Sequence, residues 1–305
     1  MTLSKNVSIR QLKALAATVR LNSVTEAARA LGVTPPAIST QLKLLETIVG
    51  GAVLDRSSDR FILTEIGREV LDAAKAIEQT LIKTDQRVAA LRSGAAGLVV
   101  FGAVSTAKYF APAIVAAFQK SNPNIRIKLI VGNREDIIEG LGRNEFDLLI
   151  MGRPPDHIPI EKFALGEHPH VLISSPNHML AGRHEITTID LETERFLARE
   201  PGSGTRLLME RFLERLGTGH RYDIVQMGTN ETIKQAVMAG LGIALISAHT
   251  CLSELHDGRL IALNTPGLPV IRQWYLVHRS DHPLSAASNT FKTYVLEHRA
   301  ELIPR

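Results

Sequence analysis

The pattern of hydrophobic and polar residues changes twice along the 305-residue chain. Before residue 64, short apolar stripes recur every three or four positions, which is typical of small helices packed on one another. One stripe then continues from 64 to 91 without a break. Beyond residue 97, runs of consecutive apolar residues alternate with helical stripes, which is typical of buried strands joined by helices. We therefore predict a small helical domain, a long helix and an α/β domain.

Residues 24–43 predict two short helices joined by a tight turn. Gly32 supplies the left-handed residue that ends the first helix. Thr34 is the predicted N-cap of the second, because a residue before proline is disfavoured in the α region and its hydroxyl can accept a backbone N–H. Pro35 and Pro36 fall in the first turn, where no intrahelical donor is lost. The buried face of the first helix is Ala27, Ala28 and Leu31.

The second of these helices has two different faces. One is an apolar stripe for the core, formed by Ile38, Leu42, Leu45 and Val49. The other carries short polar groups and a lysine, namely Pro36, Ser39, Thr40, Lys43 and Thr47. Two helices joined in this way place the second one in the major groove of DNA, whereas an ordinary helical hairpin with a solvated face is the alternative. The predicted DNA contacts are Thr34, Pro35, Pro36, Ser39, Thr40 and Lys43.

The neighbouring segments predict a winged helix-turn-helix domain over residues 1–64. A helix behind the pair would bury Ile9, Leu12, Leu15, Ala16 and Val19, and strands at 53–54 and 61–63 would flank a polar tip. Arg56 and Arg60 on this tip are predicted to contact DNA phosphates, with a solvated turn as the alternative. Residues 1–93 hold 13 of the 35 basic and 9 of the 31 acidic residues. The other 22 of each cancel, so the formal charge of +4 lies in this third of the chain.

A long linker helix is predicted over residues 65–93. Its apolar residues alternate spacings of three and four, which is a heptad pattern for a partner helix. Pairing would present two copies of the DNA-reading helix to successive turns of the duplex. A single amphipathic helix packed on its own domain is the alternative. The stripe is Val70, Ala74, Ile77, Leu81, Thr84, Val88 and Leu91, of which Val70, Ile77, Leu81, Val88 and Leu91 are the predicted dimer contacts.

Residues 94–305 predict two small α/β lobes with mainly parallel sheets. The order strand, helix, strand, helix, strand occurs twice, with strands at 98–104, 125–131, 146–151, 195–199, 222–227 and 242–246. A last strand at 270–278 and a helix at 284–298 are predicted to return to the first lobe. Lobe I would then cover 94–164 and 270–305, and lobe II would cover 165–269.

The loops at the carboxyl ends of these strands are the predicted ligand site. In such sheets ligands bind beyond the strand ends and against helix N-termini. Hydroxyls, amides and cations at these places suit a phosphate ester or a carboxylate. Helix capping by the hydroxyls, and surface ion pairs of the arginines with Glu135, Glu200 or Glu231, are the alternatives. The predicted effector contacts are Ser105, Thr106, Lys108, Asn133, Arg134, Arg153, Arg199, Ser203, Gly204, Thr205, Arg206, Thr229 and Asn230, with Lys234 beside them.

Several other classes of protein are disfavoured. A polar N-terminus and no apolar run near the ~20 residues of a membrane helix argue against a secretory signal or a membrane span. Cys251 is the only cysteine, and no carboxylate or third histidine stands at ligand spacing from His168 and His170, so we predict no metal site. Gly-Ser-Gly at 202–204 is not a nucleophile elbow, and we predict no enzyme. A plain solute-binding protein would leave the first 93 residues without a role.

The amino-terminal segment resembles the LysR-type transcriptional regulators. The motif residues are Ala27-Ala28, Leu31, Pro36-Ala37-Ile38-Ser39, Leu45-Glu46 with Gly50, Arg56 and Leu63-Thr64. The resemblance implies that Pro36 and Ser39 meet DNA and that Arg56 lies on a phosphate. Pro35 replaces a frequent glutamine, Thr40 replaces a frequent arginine, and Val53-Leu54 replaces the usual leucine-phenylalanine. Thr40 cannot make a bidentate guanine contact worth about 1–3 kcal/mol, so base preference does not transfer.

The rest of the chain resembles one group of that family, the Calvin-cycle operon regulators of the CbbR group. The similar segments are 105–112, 132–135, 151–155, 168–172, 199–206 and 230–240. The resemblance implies a cytoplasmic regulator of carbon dioxide fixation operons, usually an activator. It implies binding to duplex promoter DNA as a homodimer or a tetramer that bends it, with RNA polymerase as a further partner. The implied effector is a phosphorylated metabolite, phosphoenolpyruvate, ATP or NADPH, with no bound cofactor. A LysR-type regulator of another operon is the alternative, and the operator, effector and sign of regulation stay open.

Overall fold

The computed structural model describes residues 3–55, 61–92, 96–217 and 221–304. The chain divides into two compact units, Met1–Asp85 and Gln86–Arg305. The first unit contains five helices and a short hairpin among its described residues. These are α1 (Leu3–Asn6), α2 (Ile9–Leu21), α3 (Val24–Leu31), α4 (Pro35–Val49), β1 (Leu54–Asp55), β2 (Ile62–Leu63) and most of α5 (Glu65–Arg92).

The turn between α3 and α4 has the predicted backbone but not the predicted capping bond. Gly32 is left-handed with φ of 66° and ends α3. Thr34 is the N-cap residue of α4, as predicted, but its hydroxyl accepts no backbone hydrogen bond, so the predicted capping bond was wrong. The physical reason is that Pro36 has no N–H to give, and the Ala37 N–H donates to the Thr34 carbonyl at 3.0 Å instead.

The core of the first unit lies where α2, α3, α4 and the start of α5 meet. The stripe of α4 faces this core, with Ile38, Leu42 and Leu45 buried and Val49 packed at its edge. Ile9 is 47% exposed, which corrects the prediction that it is buried. Strands β1 and β2 pair antiparallel, with Leu54 opposite Leu63, and form the wing. The tip residues Arg56 and Arg60 lie outside the described residues.

The prediction of Val70 as a dimer contact is also corrected. Val70 is 4% exposed and, with Leu71 and Ala74, packs into the core of its own helix-turn-helix domain. This first part of α5 therefore follows the alternative of an amphipathic helix packed on its own domain. Farther along α5 the apolar stripe is exposed at Ile77, Leu81, Val88 and Leu91.

The second unit is a two-lobed α/β domain. Its first part contains β3 (Gly97–Val104), α6 (Ala111–Ser121), β4 (Ile125–Gly132), α7 (Arg134–Gly142), β5 (Leu148–Met151) and β6 (Ile160–Ser174). Its second part contains α8 (Thr188–Glu192), β7 (Arg195–Arg199), α9 (Gly204–Leu216), β8 (Asp223–Met227), α10 (Asn230–Met238), β9 (Ala244–Ser247), α11 (Leu252–His256) and β10 (Ile261–Ala262). The described chain ends with β11 (Val270–Arg279), α12 (Ala286–Glu297) and α13 (Arg299–Leu302).

The sheets differ from the prediction of two mainly parallel ones. Strands β4, β3 and β5 are parallel, but β11 joins β5 antiparallel and pairs with β6 over ten positions. Strands β10 and β9 add to β6, so one large sheet continues from the first lobe into the second. Strands β7 and β8 form a separate parallel pair. The long antiparallel pair β6–β11 was not predicted, and β6 passes through the predicted lobe limit at 164–165.

Each lobe has its own core. In the first, α6 and α12 cover the sheet, and Phe101, Phe118 and Phe291 meet edge to face with ring centroids about 5 Å apart. In the second, α9 and α10 pack around β7 and β9, with Phe196 and Phe212 fully buried. Among the described residues no helix is both long enough and apolar enough to span a bilayer. Two separate cores joined by paired strands leave a cleft between the lobes.

Candidate functional site

The exposed face of α4 carries the predicted DNA contacts. Pro36, Thr40 and Lys43 are exposed and Ser39 is half-buried. The Thr40 hydroxyl donates to the Pro36 carbonyl at 2.9 Å, which leaves its oxygen to accept and its methyl to make apolar contacts. Lys43 forms no ion pair with the described carboxylates, so its ammonium group is available to a phosphate.

A shallow apolar groove lies beside this domain, between α2 and α5. Its lining includes Ile77 and Leu81 from the predicted dimer seam, each 40% exposed. The remaining lining residues are Ile9, Leu12, Lys13, Ala16, Ala74 and Glu78. The exposed apolar side chains here and at Val88 and Leu91 make α5 suitable for a partner helix beyond its first three turns.

The second unit holds an inner cleft between its lobes. The ends of β3 and β5 supply one wall, the first turn of α9 supplies another, and β6 and β11 form the floor. The cleft and its open mouth enclose about 670 Å³ of space, in the range of small-ligand sites. Its lining is Val104, Ser105, Thr106, Arg134, Met151, Gly152, Arg153, His168, His170, Ser203, Gly204, Thr205, Leu207, Leu208, Arg211 and Arg272.

Four arginines line the inner cleft, and no carboxylate lines it. The Arg134 Nη2 donates to the Arg153 carbonyl at 3.3 Å, and its Nε is buried without a hydrogen-bond partner. Burial lowers the pKa of Arg134, and the positive charges of Arg153 and Arg211 lower it further. The charge of Asp156 acts in the opposite direction on Arg134, but it lies outside the inner-cleft lining. Guanidinium groups gathered in a lining without a carboxylate attract an anion, and their planar donors match a carboxylate or a phosphate.

The first turn of α9 adds hydroxyl groups and free backbone donors to the cleft. Ser203 is the N-cap residue of α9 and is 3% exposed, but its hydroxyl makes no capping hydrogen bond. Thr205 and Thr106 are also buried at the cleft wall. Gly202, with φ of 82°, lies so near Glu135 that a Cβ would sit 2.3 Å from its Oε2. This close approach brings the α9 end of lobe II against the α7 end of lobe I.

The inner cleft brings together about half of the predicted effector contacts. Those that line it are Ser105, Thr106, Arg134, Arg153, Ser203, Gly204 and Thr205. Those that do not are Lys108, Asn133, Arg199, Arg206, Thr229 and Asn230. Asn133 and Thr229 instead cap α7 and α10, accepting the backbone N–H groups of Asp136 and Thr232. The alternative of helix capping therefore holds for these two residues.

The three remaining cations pair with carboxylates. Arg206 binds Glu210 at 2.8 Å, and Lys108 lies 4.0 Å from Glu231. Arg199 is 3% exposed and binds both carboxylate oxygens of Glu200 at 2.7 Å, and it also donates to Asn230 and Ser105. All three are therefore ion-paired, but Arg206 pairs with Glu210, which the alternative did not include, and the pair of Arg199 is buried and not on the surface. Arg199 reaches the cleft only through Ser105.

An inter-lobe cluster of paired charges lies outside the inner-cleft lining. The Tyr109 hydroxyl of lobe I donates to Glu231 Oε1 of lobe II at 2.5 Å. Burial and this hydrogen bond raise the pKa of Tyr109, which keeps it a donor. The buried Lys234 lies 2.8 Å from Glu254, 3.2 Å from Glu231 and 4.8 Å from the centroid of the Tyr109 ring. The inter-lobe cluster is Lys108, Tyr109, Glu231, Lys234 and Glu254.

Four polar residues of the cleft were absent from the predicted effector contacts. His168, His170 and Arg272 come from the unpredicted pair β6–β11, and Arg211 lies on the third turn of α9. His168 stacks on Trp274 with ring centroids 3.7 Å apart, and its Nε2 lies 2.9 Å from the Ser247 hydroxyl. Burial lowers the pKa of His168 well below its ordinary value and that of His170 to about 4. Both rings are therefore neutral at pH 7.

Metal and thiol chemistry find little support in these side chains. Within the described residues no group of three or more histidines, cysteines and carboxylates could hold a metal ion. Cys251 is fully buried, and burial raises the pKa of its thiol to about 12. A thiol that stays protonated at pH 7 is a poor nucleophile.

A winged helix-turn-helix domain followed by a two-lobed domain with an arginine-lined cleft is the architecture of ligand-responsive transcriptional regulators. Residues 9–68 match the bacterial regulatory helix-turn-helix proteins of the lysR family, and residues 92–300 match the LysR substrate binding domain. The chain belongs to the LysR family of DNA-binding transcriptional regulators. The comparisons place it among regulators and not among enzymes.

Three relatives are similar over large parts of the chain. The HTH-type transcriptional regulator CbbR of Xanthobacter flavus is 44% identical over 299 residues, covering 98% of this chain and 90% of that protein. The RuBisCO operon transcriptional regulator of Allochromatium vinosum is 40% identical, covering 97% of this chain and 98% of that protein. The Synechocystis PCC6803 CcmR regulatory domain, solved in complex with 2-PG, is 33% identical with a TM-score of 0.64, covering 67% of this chain and 98% of that domain.

Proposed function

We propose that this regulator activates carbon dioxide fixation operons and that a small anionic metabolite in the inner cleft switches it. The names of the 44% and 40% identical relatives support the choice of operon. The observation that carries the switch is the set of four arginines without a carboxylate in the cleft lining. Arg134 and Arg272 are partly buried, and a protein that needs this cleft only for folding gains nothing from partly buried charges without a carboxylate partner in the lining.

The effector is a phosphate ester or a carboxylate. The neutral rings of His168 and His170 add uncharged hydrogen-bonding groups beside the guanidinium groups. The complex of the Synechocystis domain with 2-PG makes 2-PG the first probe. Phosphoenolpyruvate, ATP and NADPH are the other probes. An effector that binds one lobe arrangement more tightly shifts the population toward it, which suffices for a switch.

The DNA contacts come from α4 and the wing. Pro36, Ser39 and Thr40 would face base edges, and Lys43 would face a phosphate. Arg56 and Arg60 would add phosphate contacts from the wing. The domain limits that we propose are 1–64 for the DNA-binding domain, 65–93 for the linker helix and 94–305 for the effector-binding domain.

The protein acts in the cytoplasm as a homodimer or a tetramer on promoter DNA, with RNA polymerase as a further partner. The exposed seam Ile77, Leu81, Val88 and Leu91 supports pairing of α5 with a second copy. Sedimentation of the Leu81→Lys, Val88→Lys variant tests this assembly. Monomers are expected, and an unchanged oligomer would contradict the seam.

Footprinting tests the proposed function directly. The promoter fragment upstream of a RuBisCO operon in the same genome is incubated with the protein at low ionic strength, with and without each probe. We expect the protein to protect the fragment. At least one probe should change the length of the protected region or the bend angle of the DNA. Failure to bind any such fragment would contradict the regulator, and identical protection and bend with every probe would contradict the switch.

A further inference from the structure

Arg199 forms a bridge from lobe II to the cleft wall in lobe I. It is the last residue of β7, and its side chain is 3% exposed. Glu200 holds its Nε and Nη2, and Asn230 accepts from its Nη1. The Nη2 also donates to the Ser105 Oγ at 3.2 Å, and Ser105 follows β3 in lobe I and lines the inner cleft. The guanidinium group is thereby fixed in place at three points.

The direction of the Arg199–Ser105 hydrogen bond follows from its chemistry. A guanidinium group has donors and no acceptor, so the Ser105 oxygen must accept. The hydroxyl proton of Ser105 then points away from Arg199. No other described group accepts that proton, and the side chain lies on the wall of the inner cleft. A ligand oxygen in the cleft is therefore the acceptor that this geometry leaves open.

We infer that Arg199 is a positioning residue, which orients the Ser105 hydroxyl as a donor to the effector and so couples effector binding to contact between the lobes. The inference rests on the proposed function, since it requires an anionic ligand in the inner cleft. Hydrogen bonds in a chain polarise one another. When Ser105 donates to an anion, its oxygen accepts more strongly from Arg199, so effector and lobe contact stabilise each other reciprocally.

The inter-lobe cluster supplies a matched control. The Tyr109–Glu231 hydrogen bond also joins the lobes, but neither residue lines the inner cleft. Tyr109→Phe therefore loosens contact between the lobes without changing the orientation of Ser105. A residue that acts only through lobe contact should behave like Tyr109 in every measurement, whereas Arg199 should behave like Ser105.

A double-mutant cycle on the full chain tests the coupling, with 2-PG affinity measured by calorimetry. Ser105→Ala should weaken binding about 10- to 100-fold, because a hydrogen bond to a charged group is lost. Arg199→Lys should also weaken binding, but adding it to Ser105→Ala should change affinity by less than about twofold. Tyr109→Phe should change 2-PG affinity by the same factor in the Ser105→Ala background as in wild type. Independent effects of Arg199→Lys and Ser105→Ala, which multiply in the double variant, would overturn the inference.

A second measurement does not depend on the ligand. Hydrogen exchange of the free protein should show faster exchange after β3 and at the start of α10 in both Arg199→Lys and Ser105→Ala. If Arg199→Lys does not fold, Glu200→Gln takes its place in both measurements, because it removes the charge that holds the guanidinium group. If wild type binds none of the probes, the proposed effector switch fails. Hydrogen exchange then decides the Arg199–Ser105 bridge separately, and unchanged exchange in both variants would overturn it.

Discussion

The inner cleft and the inter-lobe cluster both gather basic side chains, arginines in the cleft and lysines in the cluster, but they balance those charges differently. In the cluster, Lys234 is buried with carboxylates at 2.8 and 3.2 Å, so its charge is balanced within the protein. In the cleft, Arg134 has a buried Nε without a partner and two arginine charges that lower its pKa. A buried pair is costly to break, whereas a desolvated charge without a carboxylate partner itself costs stability, which favours a ligand-binding role for the cleft. The presence of carboxylates, and not the number of cations, separates the scaffold from the site.

The largest expected effect comes from breaking the balanced cluster. Lys234→Met leaves Glu254 without its partner, and removing one member of a buried pair costs about 3 kcal/mol or more. We expect this loss in the free energy of unfolding, measured by urea denaturation. The loss of 2-PG affinity in the molecules that remain folded should be no larger than that of Tyr109→Phe, because both residues contact Glu231 and neither lines the cleft. Lys108→Met is the control, because that lysine lies 4.0 Å from Glu231 and is partly exposed. Its loss should stay below about 1 kcal/mol.

The opposite outcome is expected at Arg134. Arg134→Ala removes a desolvated charge without a carboxylate partner, so the free energy of unfolding should be unchanged or higher. Effector affinity should fall about 100-fold, equivalent to about 2.7 kcal/mol, while binding to DNA without effector should persist. Arg143→Ala, which removes an arginine paired with Glu139 and Glu145 outside the cleft, is the matched control. If wild type and Arg134→Ala bind 2-PG with equal affinity, the cleft arginines do not bind the effector and the proposed difference between cleft and cluster is wrong.

The pH dependence of stability tests whether His170, on the cleft floor, is neutral in the folded protein. The pKa of His170 is lowered to about 4 by burial, against about 6.5 in an unfolded chain. The unfolded state therefore binds a proton first as the pH falls, so stability is complete above pH 6.5 and decreases toward pH 4. The contribution of His170 to this decrease is about 3 kcal/mol at most. Urea denaturation at intervals from pH 7 to pH 4.5 measures it, and His170→Gln should give a flatter profile. If wild type and His170→Gln lose stability in parallel as the pH falls, the decrease comes from groups other than His170.

The sequence was most informative where structure depends on neighbouring residues. Gly32 and the two prolines determine the turn of the DNA-binding domain locally, and strand 195–199 was predicted at its observed limits. Strand β6 was missed because charged residues, Gly166 and Pro169 interrupt its apolar pattern. Its pairing with β11, a hundred residues later, cannot be seen in either segment alone. His168, His170 and Arg272 were left out of the predicted effector contacts for the same reason.

The role of Arg199 shows a second limit of sequence reasoning. Its place beside the cleft was predicted correctly, because strand ends in α/β sheets converge there. Its pairing with Asn230 and Ser105 depends on residues 31 and 94 positions away. Sequence therefore predicts which cations gather near a site, and the three-dimensional partners decide which of them stay available to a ligand.

The smallest expected effect extends the comparison to the surface of α4. Lys43, like Arg134, forms no ion pair with a described carboxylate, but it is exposed, so water already solvates its charge and its contribution to DNA binding depends on salt. Lys43→Ala should weaken binding to all DNA sequences about equally. It should also reduce the slope of the logarithm of the binding constant against the logarithm of the salt concentration by about 1 for each α4 helix bound. Gel shifts at several salt concentrations measure this, with Lys75→Ala on α5, beside Asp72, as the control. A sequence-selective loss with an unchanged slope would instead mean that Lys43 reads a base. Lys43 would then act through the geometry of its hydrogen bond to a base and not by charge alone.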